Sequence, residues 1–286
     1  MPDSIAVILL GMIEGITEFL PISSTGHLLI AQHWLPEQSE MFNVVIQCGA
    51  VLAVFAVFAK RLRQMFSELH KPVTRDYLIK LTAAFIVTGI GGLALKKAGF
   101  TLPKTLPPIA WATLIGGVVI LIIEFFVRGK SQSEVVTWPI ALIVAGGQLL
   151  AAACPGTSRS GATILFAMAL GLSRVKATEF SFLLGIPTMF AAGAYEIHHE
   201  LKHAPPGTIH WNMVLLGTAV AAITAFITVK WLLRFVQSHT FNGFGWYRIA
   251  LGIAILVFIG THHPANHAVS QNPAPQPVRV MAQLPE

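Results

Sequence analysis

The chain alternates between long apolar stretches and short polar interruptions. Six stretches approach the roughly 20 residues a helix needs to cross a hydrocarbon core about 30 Å thick: residues 42–59, 77–95, 109–127, 179–197, 212–233 and 245–260. The last of these is the shortest. Two other apolar regions break before they can cross. Residues 5–20 run into Pro21 and the small polar run Ser23-Ser24-Thr25-Gly26, and the helix that can follow, 27–35, reaches only about half a bilayer. Residues 138–153 stop at Cys154-Pro155-Gly156, pass through Thr157-Ser158-Arg159-Ser160, and resume as the short run 161–172. Each region reads as a re-entrant helix-loop-helix hairpin. Irregular backbone at membrane depth needs protein or a wet cavity around it.

The expected fold is therefore an all-α polytopic membrane protein with six transmembrane helices and two re-entrant hairpins. A hairpin followed by three spans occurs twice, over about 1–127 and 138–261. The first hairpin opens outward and the second inward, which makes an inverted-topology repeat within a single membrane-embedded domain, 1–261. Such repeats place a polar site near the midplane, where the halves meet. With the N-terminus outside, thirteen of the 19 Lys and Arg fall on cytoplasmic segments, among them Lys60, Arg61, Arg63, Arg174 and Arg248. Five fall on outer segments, and Arg159 sits in a loop at depth. That is a positive-inside bias. From His262 to residue 286 the chain is rich in Pro, Gln, Asn and His and reads as a disordered tail.

Composition narrows the function classes. Hydrophobic residues make up 54% of the 286 positions and charged residues 11%, with a mean hydropathy of +0.68. An average soluble domain carries about 25% charged residues, so this chain cannot cover itself with a solvated surface. The net charge of +6 is of the sign that suits nucleic acid, but the basic residues cluster between apolar runs and form no stripe, so no nucleic-acid partner is expected. Cys48 and Cys154 lie in apolar segments and read as packing residues rather than a disulfide.

The chemistry concentrates at the two breaks. Glu14 and Glu18 are four apart on one short helix and share a face. A charge at membrane depth costs about 2.5–3.5 kcal/mol. The pair is either solvated near the headgroups, a divalent-cation site or an acid–base pair; carboxylate oxygens suit Mg²⁺ or Ca²⁺ shared with substrate phosphates. Ser23, Ser24, Thr25 and His27 open the next helix. They can cap it, and its N-terminus favours an anion. A hydroxyl beside an imidazole and a carboxylate is also the arrangement of nucleophilic catalysis. Arg159 stands at the matching point of the second break, flanked by Ser158 and Ser160 with Thr163 one turn on. Its guanidinium keeps its charge and grips phosphate oxygens through two bonds; it can also pair with Glu14 or Glu18. Together these groups suit a phosphate or diphosphate. Gln47, within the first span, either reaches this site or bonds to a neighbouring helix. Glu124 near Arg128, and Glu179 near Arg174 and Lys176, read as ion pairs. His198, His199 and His203 with Glu196 and Glu200 read as solvated loop residues.

The run Glu14-Gly15-Ile16-Thr17-Glu18-Phe19-Leu20-Pro21-Ile22-Ser23-Ser24-Thr25-Gly26-His27 resembles the first signature of the undecaprenyl-diphosphate phosphatase (bacitracin-resistance) family. Pro155-Gly156-Thr157-Ser158-Arg159-Ser160-Gly161-Ala162-Thr163 resembles the second. Val45-Ile46-Gln47 and Glu179-Phe180-Ser181-Phe182-Leu183-Leu184 are also similar to it, and the resemblance covers about residues 5–261. It implies hydrolysis of undecaprenyl diphosphate to the monophosphate in the bacterial plasma membrane, recycling the lipid carrier for peptidoglycan synthesis, with bacitracin resistance on overproduction. It implies a divalent cation, Mg²⁺ or Ca²⁺, with Glu14 and Glu18 as metal or acid–base residues. It implies Ser24 and His27 at the chemical step, Arg159 as phosphate clamp, and an outward-facing site. Three nucleophiles stay open at this point: Ser24, His27 or water. Ser23, Thr25, Gln47, Ser158, Ser160 and Thr163 are the expected substrate contacts. The partners are the bilayer and the prenyl diphosphate lipid, with a homodimer left open. The rival function is a polyprenyl-phosphate transporter or flippase, because inverted repeats with broken helices are also transporter features.

Overall fold

The computed structural model describes residues 3–99, 105–203 and 210–262. The tail expected from 262 onward lies, beyond His262, outside the described residues. Among the described residues eleven helices form and no strand does; one isolated bridge links Ser133 to Leu172. The helices are α1 (Asp3–Thr17), α2 (Ser24–Trp34), α3 (Glu40–Val57), α4 (Ala59–Ser67), α5 (Pro72–Lys97), α6 (Leu106–Val127), α7 (Trp138–Ala153), α8 (Arg159–Ala169), α9 (Arg174–His203), α10 (Trp211–Ser238) and α11 (Asn242–His262).

Six of these, α3, α5, α6, α9, α10 and α11, are long and apolar enough to cross a membrane, as the hydropathy pattern predicts. Prolines open α5, α6 and α7 in their first turns, where a missing N–H costs nothing. Side chains such as Ile90, Phe125, Leu215 and Ile223 are largely uncovered by protein. Water would not tolerate a belt of that extent, whereas acyl chains do. The sequence pattern missed α4, a nine-residue amphipathic helix within a segment expected only to be cytoplasmic.

The remaining short helices surround the breaks. α1 and α2 have 15 and 11 residues, and α7 and α8 have 16 and 11. At 1.5 Å per residue these are about 16–24 Å long, short of a full crossing. Pro21 and Pro155-Gly156 supply the interruptions, and Gly156 takes a positive φ of 92° that a side chain would resist.

Helix contacts depend on small residues. Along α1, Gly11 and Gly15 meet α10 so closely that a Cβ on Gly11 would lie 2.6 Å from the Gly217 carbonyl oxygen. A Cβ on Gly117 of α6 would lie 2.7 Å from the carbonyl oxygen of Gly245 on α11. In lipid, where apolar burial drives helices together only weakly, such backbone approach is the main source of association. The larger apolar core joins residues of α3, α5, α7, α8, α9 and α10, with Phe180, Phe182, Leu184 and Val229 fully enclosed. A smaller cluster joins α1, α2, α3 and α10.

Ion pairs gather at the ends of α4, α5, α6 and α9. Glu124, buried, receives a two-pronged bond from Arg174 and accepts the Phe241 N–H at 2.8 Å. Its partner is Arg174 rather than the expected Arg128. Glu179 bonds Arg61 at 2.8 Å and Lys176 at 2.9 Å. Arg248 departs from its expected place at a cytoplasmic helix end: its side chain is 1% exposed in the interior beneath the two breaks. Cys154 caps the end of α7 and is exposed rather than packed, while Cys48 is half-buried.

Candidate active site

The two breaks fold alike and meet. Ser23 caps α2 and Ser158 caps α8, and both hold left-handed backbone at φ 72° and 70°. Such a conformation costs a non-glycine residue about 1–3 kcal/mol and persists where surrounding contacts enforce it. Each serine oxygen accepts from the amide three residues on, Gly26 at 3.4 Å and Gly161 at 3.1 Å. Matching the caps makes Ser24 and Arg159 equivalent: each is the first helical residue after its tip.

Ser160 ties the tips together. Its hydroxyl faces the carbonyl oxygens of Leu20 at 2.9 Å and Glu18 at 3.3 Å. Phe19 packs edge-on against Phe182 at 4.9 Å, and the Arg159 guanidinium lies 5.5 Å from the Phe19 ring centre. This contact places Glu18 between the two helix starts. One of its oxygens accepts the Ser24 hydroxyl at 2.5 Å; the other faces an Arg159 Nη at 3.4 Å. The Ser24 hydroxyl thus points its proton at a carboxylate, as activation of an oxygen nucleophile requires.

Arg159 keeps further capacity. Its Nε and Nη1 are buried and have no partner. Gly185 makes room for it, since a Cβ there would lie 2.6 Å from Nη1. A buried, unsatisfied cationic donor is costly, and phosphate oxygens are acceptors that suit a guanidinium.

Glu14, one turn behind Glu18, is fully buried, and neither of its oxygens meets a hydrogen-bond donor. Its charged neighbours are Glu18 and Arg159. Two adjacent carboxylates, one of them orphaned, form a donor set that fits a hard divalent cation completing its shell with water or phosphate oxygens. No group of three or more His, Cys, Asp or Glu side chains gathers for a metal among the described residues, so protein ligands alone would be few.

A cavity of about 620 Å³ opens from the tips, a volume typical of ligand sites. Glu18, Ser23, Ser24, Thr25, Gln47, Ser158 and Arg159 line its base. Besides Glu14, three expected residues lie elsewhere. Ser160 is buried in the joint between the tips. Thr163 turns back to the Arg159 carbonyl at 2.8 Å and to Ser181 at 2.5 Å, propping the first turn of α8. His27, expected at the chemical step, faces α11. Its Nδ1 donates to the Ser23 carbonyl at 2.7 Å, which leaves Nε2 to accept from the Tyr247 hydroxyl at 2.6 Å. The stacked rings are 5.7 Å apart. The histidine braces the tip from behind.

Other polar residues on the cavity wall escaped the sequence analysis. Gln148 bonds Thr88 at 3.1 Å and Thr188 at 3.2 Å, forming a rung across α5, α7 and α9. Further along, Lys96 donates to the Tyr195 hydroxyl at 2.5 Å. Between rung and bridge the wall is apolar and small, with Gly89, Gly92, Ala151, Ala152, Ala191 and Ala192. Single Thr and Gln residues in apolar spans carry no signal of their own; only their convergence does.

Residues 7–254 match the family described as Bacitracin resistance protein BacA. The chain belongs to the BacA family. A protein of Xanthomonas oryzae pv. oryzae (strain PXO99A) named undecaprenyl-diphosphatase is 48% identical over 260 residues, covering 91% of this chain and 98% of that protein. One of the same name from Xylella fastidiosa (strain 9a5c) is 48% identical, covering 91% of this chain and all of its own length. Another from Rhizobium etli (strain CIAT 652) is 49% identical over 255 residues, 89% of this chain and 96% of that protein. The BacA match spans both tips and all six long helices except the end of α11.

Proposed function

We propose that the chain is an integral membrane phosphatase that hydrolyses undecaprenyl diphosphate to undecaprenyl phosphate and inorganic phosphate. The observation that carries this reading is the Ser24 hydroxyl 2.5 Å from Glu18, at a cavity that Arg159 also lines, in a chain whose relatives bear the name of that activity.

In the proposed mechanism the prenyl tail stays in lipid and the diphosphate enters the cavity base. Arg159 and the first-turn amides of α2 and α8 neutralise the phosphate charge. Glu18 takes the Ser24 proton as Oγ attacks the terminal phosphorus. The new bond is Oγ–P, the broken bond is the anhydride P–O, and undecaprenyl phosphate leaves. Water then attacks the phosphoserine, Oγ departs with a proton returned from Glu18, and phosphate is released. The contact with Glu18 favours Ser24 over His27 as nucleophile. Thr25, Gln47 and the two cap serines orient the headgroup, while Ser160 and Thr163 brace the tips. Glu14 with Glu18 would hold the divalent cation, Mg²⁺ or Ca²⁺. When bound, the cation withdraws charge from the phosphoryl oxygens.

The topology proposed with this chemistry is a pair of re-entrant hairpins, α1–α2 and α7–α8, dipping from opposite leaflets in an inverted repeat of about 1–127 and 138–261. Short helices and matching tip geometry support it, and the basic residues favour a site facing the periplasm or exterior. The role that follows is recycling of the envelope lipid carrier, with resistance to bacitracin. The test is phosphate release from undecaprenyl diphosphate by purified protein, with and without EDTA. Activity lost in Glu18→Gln and Arg159→Ala agrees with the proposal; release unchanged in either variant refutes the assigned site.

A further inference from the structure

Arg248 is the largest fully buried side chain in the described structure and carries a full charge. It makes five bonds, all to main-chain carbonyls. Nε donates to Thr113 at 3.1 Å. One Nη donates to Pro21 at 3.2 Å and Thr157 at 3.0 Å, the other to Ala112 at 3.1 Å and Gly156 at 2.9 Å. No carboxylate pairs with it among the described residues. All five N–H donors of a guanidinium are thus used, by acceptors from three separate parts of the chain.

The acceptors are arranged by position. Pro21 and Gly156 each lie two residues before a cap serine, and Thr157 lies one before Ser158. A single planar fork therefore holds both tips at the same local point, while Ala112 and Thr113 of α6 anchor its back. The fold leaves a slot for it. Gly117 would bring a Cβ within 2.9 Å of the Arg248 Cβ, and any Cβ on Gly116 would overlap the guanidinium. Ser160 and the Arg159–Glu18 contact also link the tips, but one hydroxyl proton and one contact at 3.4 Å cannot fix two loops in orientation as well as distance.

We propose that Arg248 is a positioning residue for the phosphatase reaction. It sets the separation and orientation of the two tips, and through them the distance from Ser24 and Glu18 to Arg159, without touching substrate. This rests on the function proposed above. Lysine in its place would keep the charge but offer three donors from one point, so the tips would lose their common register. A displacement of reacting groups by about 1 Å costs about 100-fold in rate.

The experiment compares wild type, Arg248→Lys, Gly116→Ala and Val214→Ala in detergent. It measures kcat and KM for undecaprenyl diphosphate, with the folded fraction from size-exclusion profile and thermal melt. Val214 is buried in the smaller apolar cluster, which holds no residue of either tip, and controls for general destabilisation. Arg248→Lys is expected to lower kcat about 100-fold per folded molecule while KM stays within about threefold. Gly116→Ala, which pushes the fork without altering it, is expected to lower kcat in the same manner; it carries the test if Arg248→Lys does not fold. Val214→Ala should melt earlier with kcat unchanged. A kcat within threefold of wild type in the folded Arg248→Lys, or in Gly116→Ala when that variant carries the test, overturns the positioning role alone. An inactive wild type overturns the phosphatase reading and this role with it.

Discussion

Replacing Arg159 by lysine tests the phosphate clamp without removing its charge. The side chain lines the cavity; its Nε and Nη1 are unpartnered and enclosed by protein, while Nη2 faces Glu18. Lysine supplies one ammonium at the end of a flexible stem, which can stay near Glu18 or reach a phosphate, but not both edges. Two hydrogen bonds to a charged acceptor are lost, each worth about 1.5–3 kcal/mol. The combined loss of about 3–6 kcal/mol corresponds to roughly 10²–10⁴ in kcat/KM. Because the cation remains, the fold should tolerate the change better than Arg159→Ala, which strands Glu18. The assay is initial-rate release of inorganic phosphate in detergent micelles, alongside a thermal melt of each variant. A folded Arg159→Lys protein with kcat/KM within tenfold of wild type would refute the clamp role of this side chain.

Ser24→Ala should abolish phosphate release while the protein melts as wild type; in proteoliposomes it also separates the rival function, because lipid movement that survives this change would assign transport to the same cavity. Glu124→Ala removes a buried carboxylate from Arg174 and the Phe241 amide, and should destabilise by up to about 3 kcal/mol, the low end for a broken buried pair because Arg174 is partly exposed; a melt unchanged within a degree would contradict it. Gly11→Val places a branched carbon against the Gly217 carbonyl and should lower yield and melting temperature by forcing α1 off α10, whereas an unaffected melt would mean that this crossing is loose.

The spans were legible because each needs only a long apolar run. The breaks were legible because Pro21 and Pro155-Gly156 interrupt such runs with hydroxyls and an arginine. Their meeting is expected from the apparent repeat, but the sequence leaves open whether Arg159 faces Glu14 or Glu18, one turn apart. Arg248 was not legible: six residues from the start of α11, it has the local pattern of an interfacial arginine, and its five acceptors are carbonyls, which any sequence supplies everywhere. Glu124 failed similarly, since Arg128 lies one turn away whereas its actual partner lies 50 residues off. His27 shares a short helix with Ser24, but Ser24 is its first residue and turns back to Glu18, while the imidazole is drawn out to Tyr247. Helix α4 escaped because its periodicity is that of an interface, with polar residues outnumbering apolar ones.

The ion contact that assembles the site joins Arg159 to Glu18 across 141 residues, and the arginine fork joins Arg248 to Pro21 across 227. Ribosomes add about 5–20 residues per second, so the first tip emerges roughly 10–45 s before its last partner is made. Glu18 meets its arginine partner sooner, after about 7–28 s at the same rates. Until α8 and α11 are made, the first tip lacks both of these arginines. Order of synthesis thus makes completion of the site a late step.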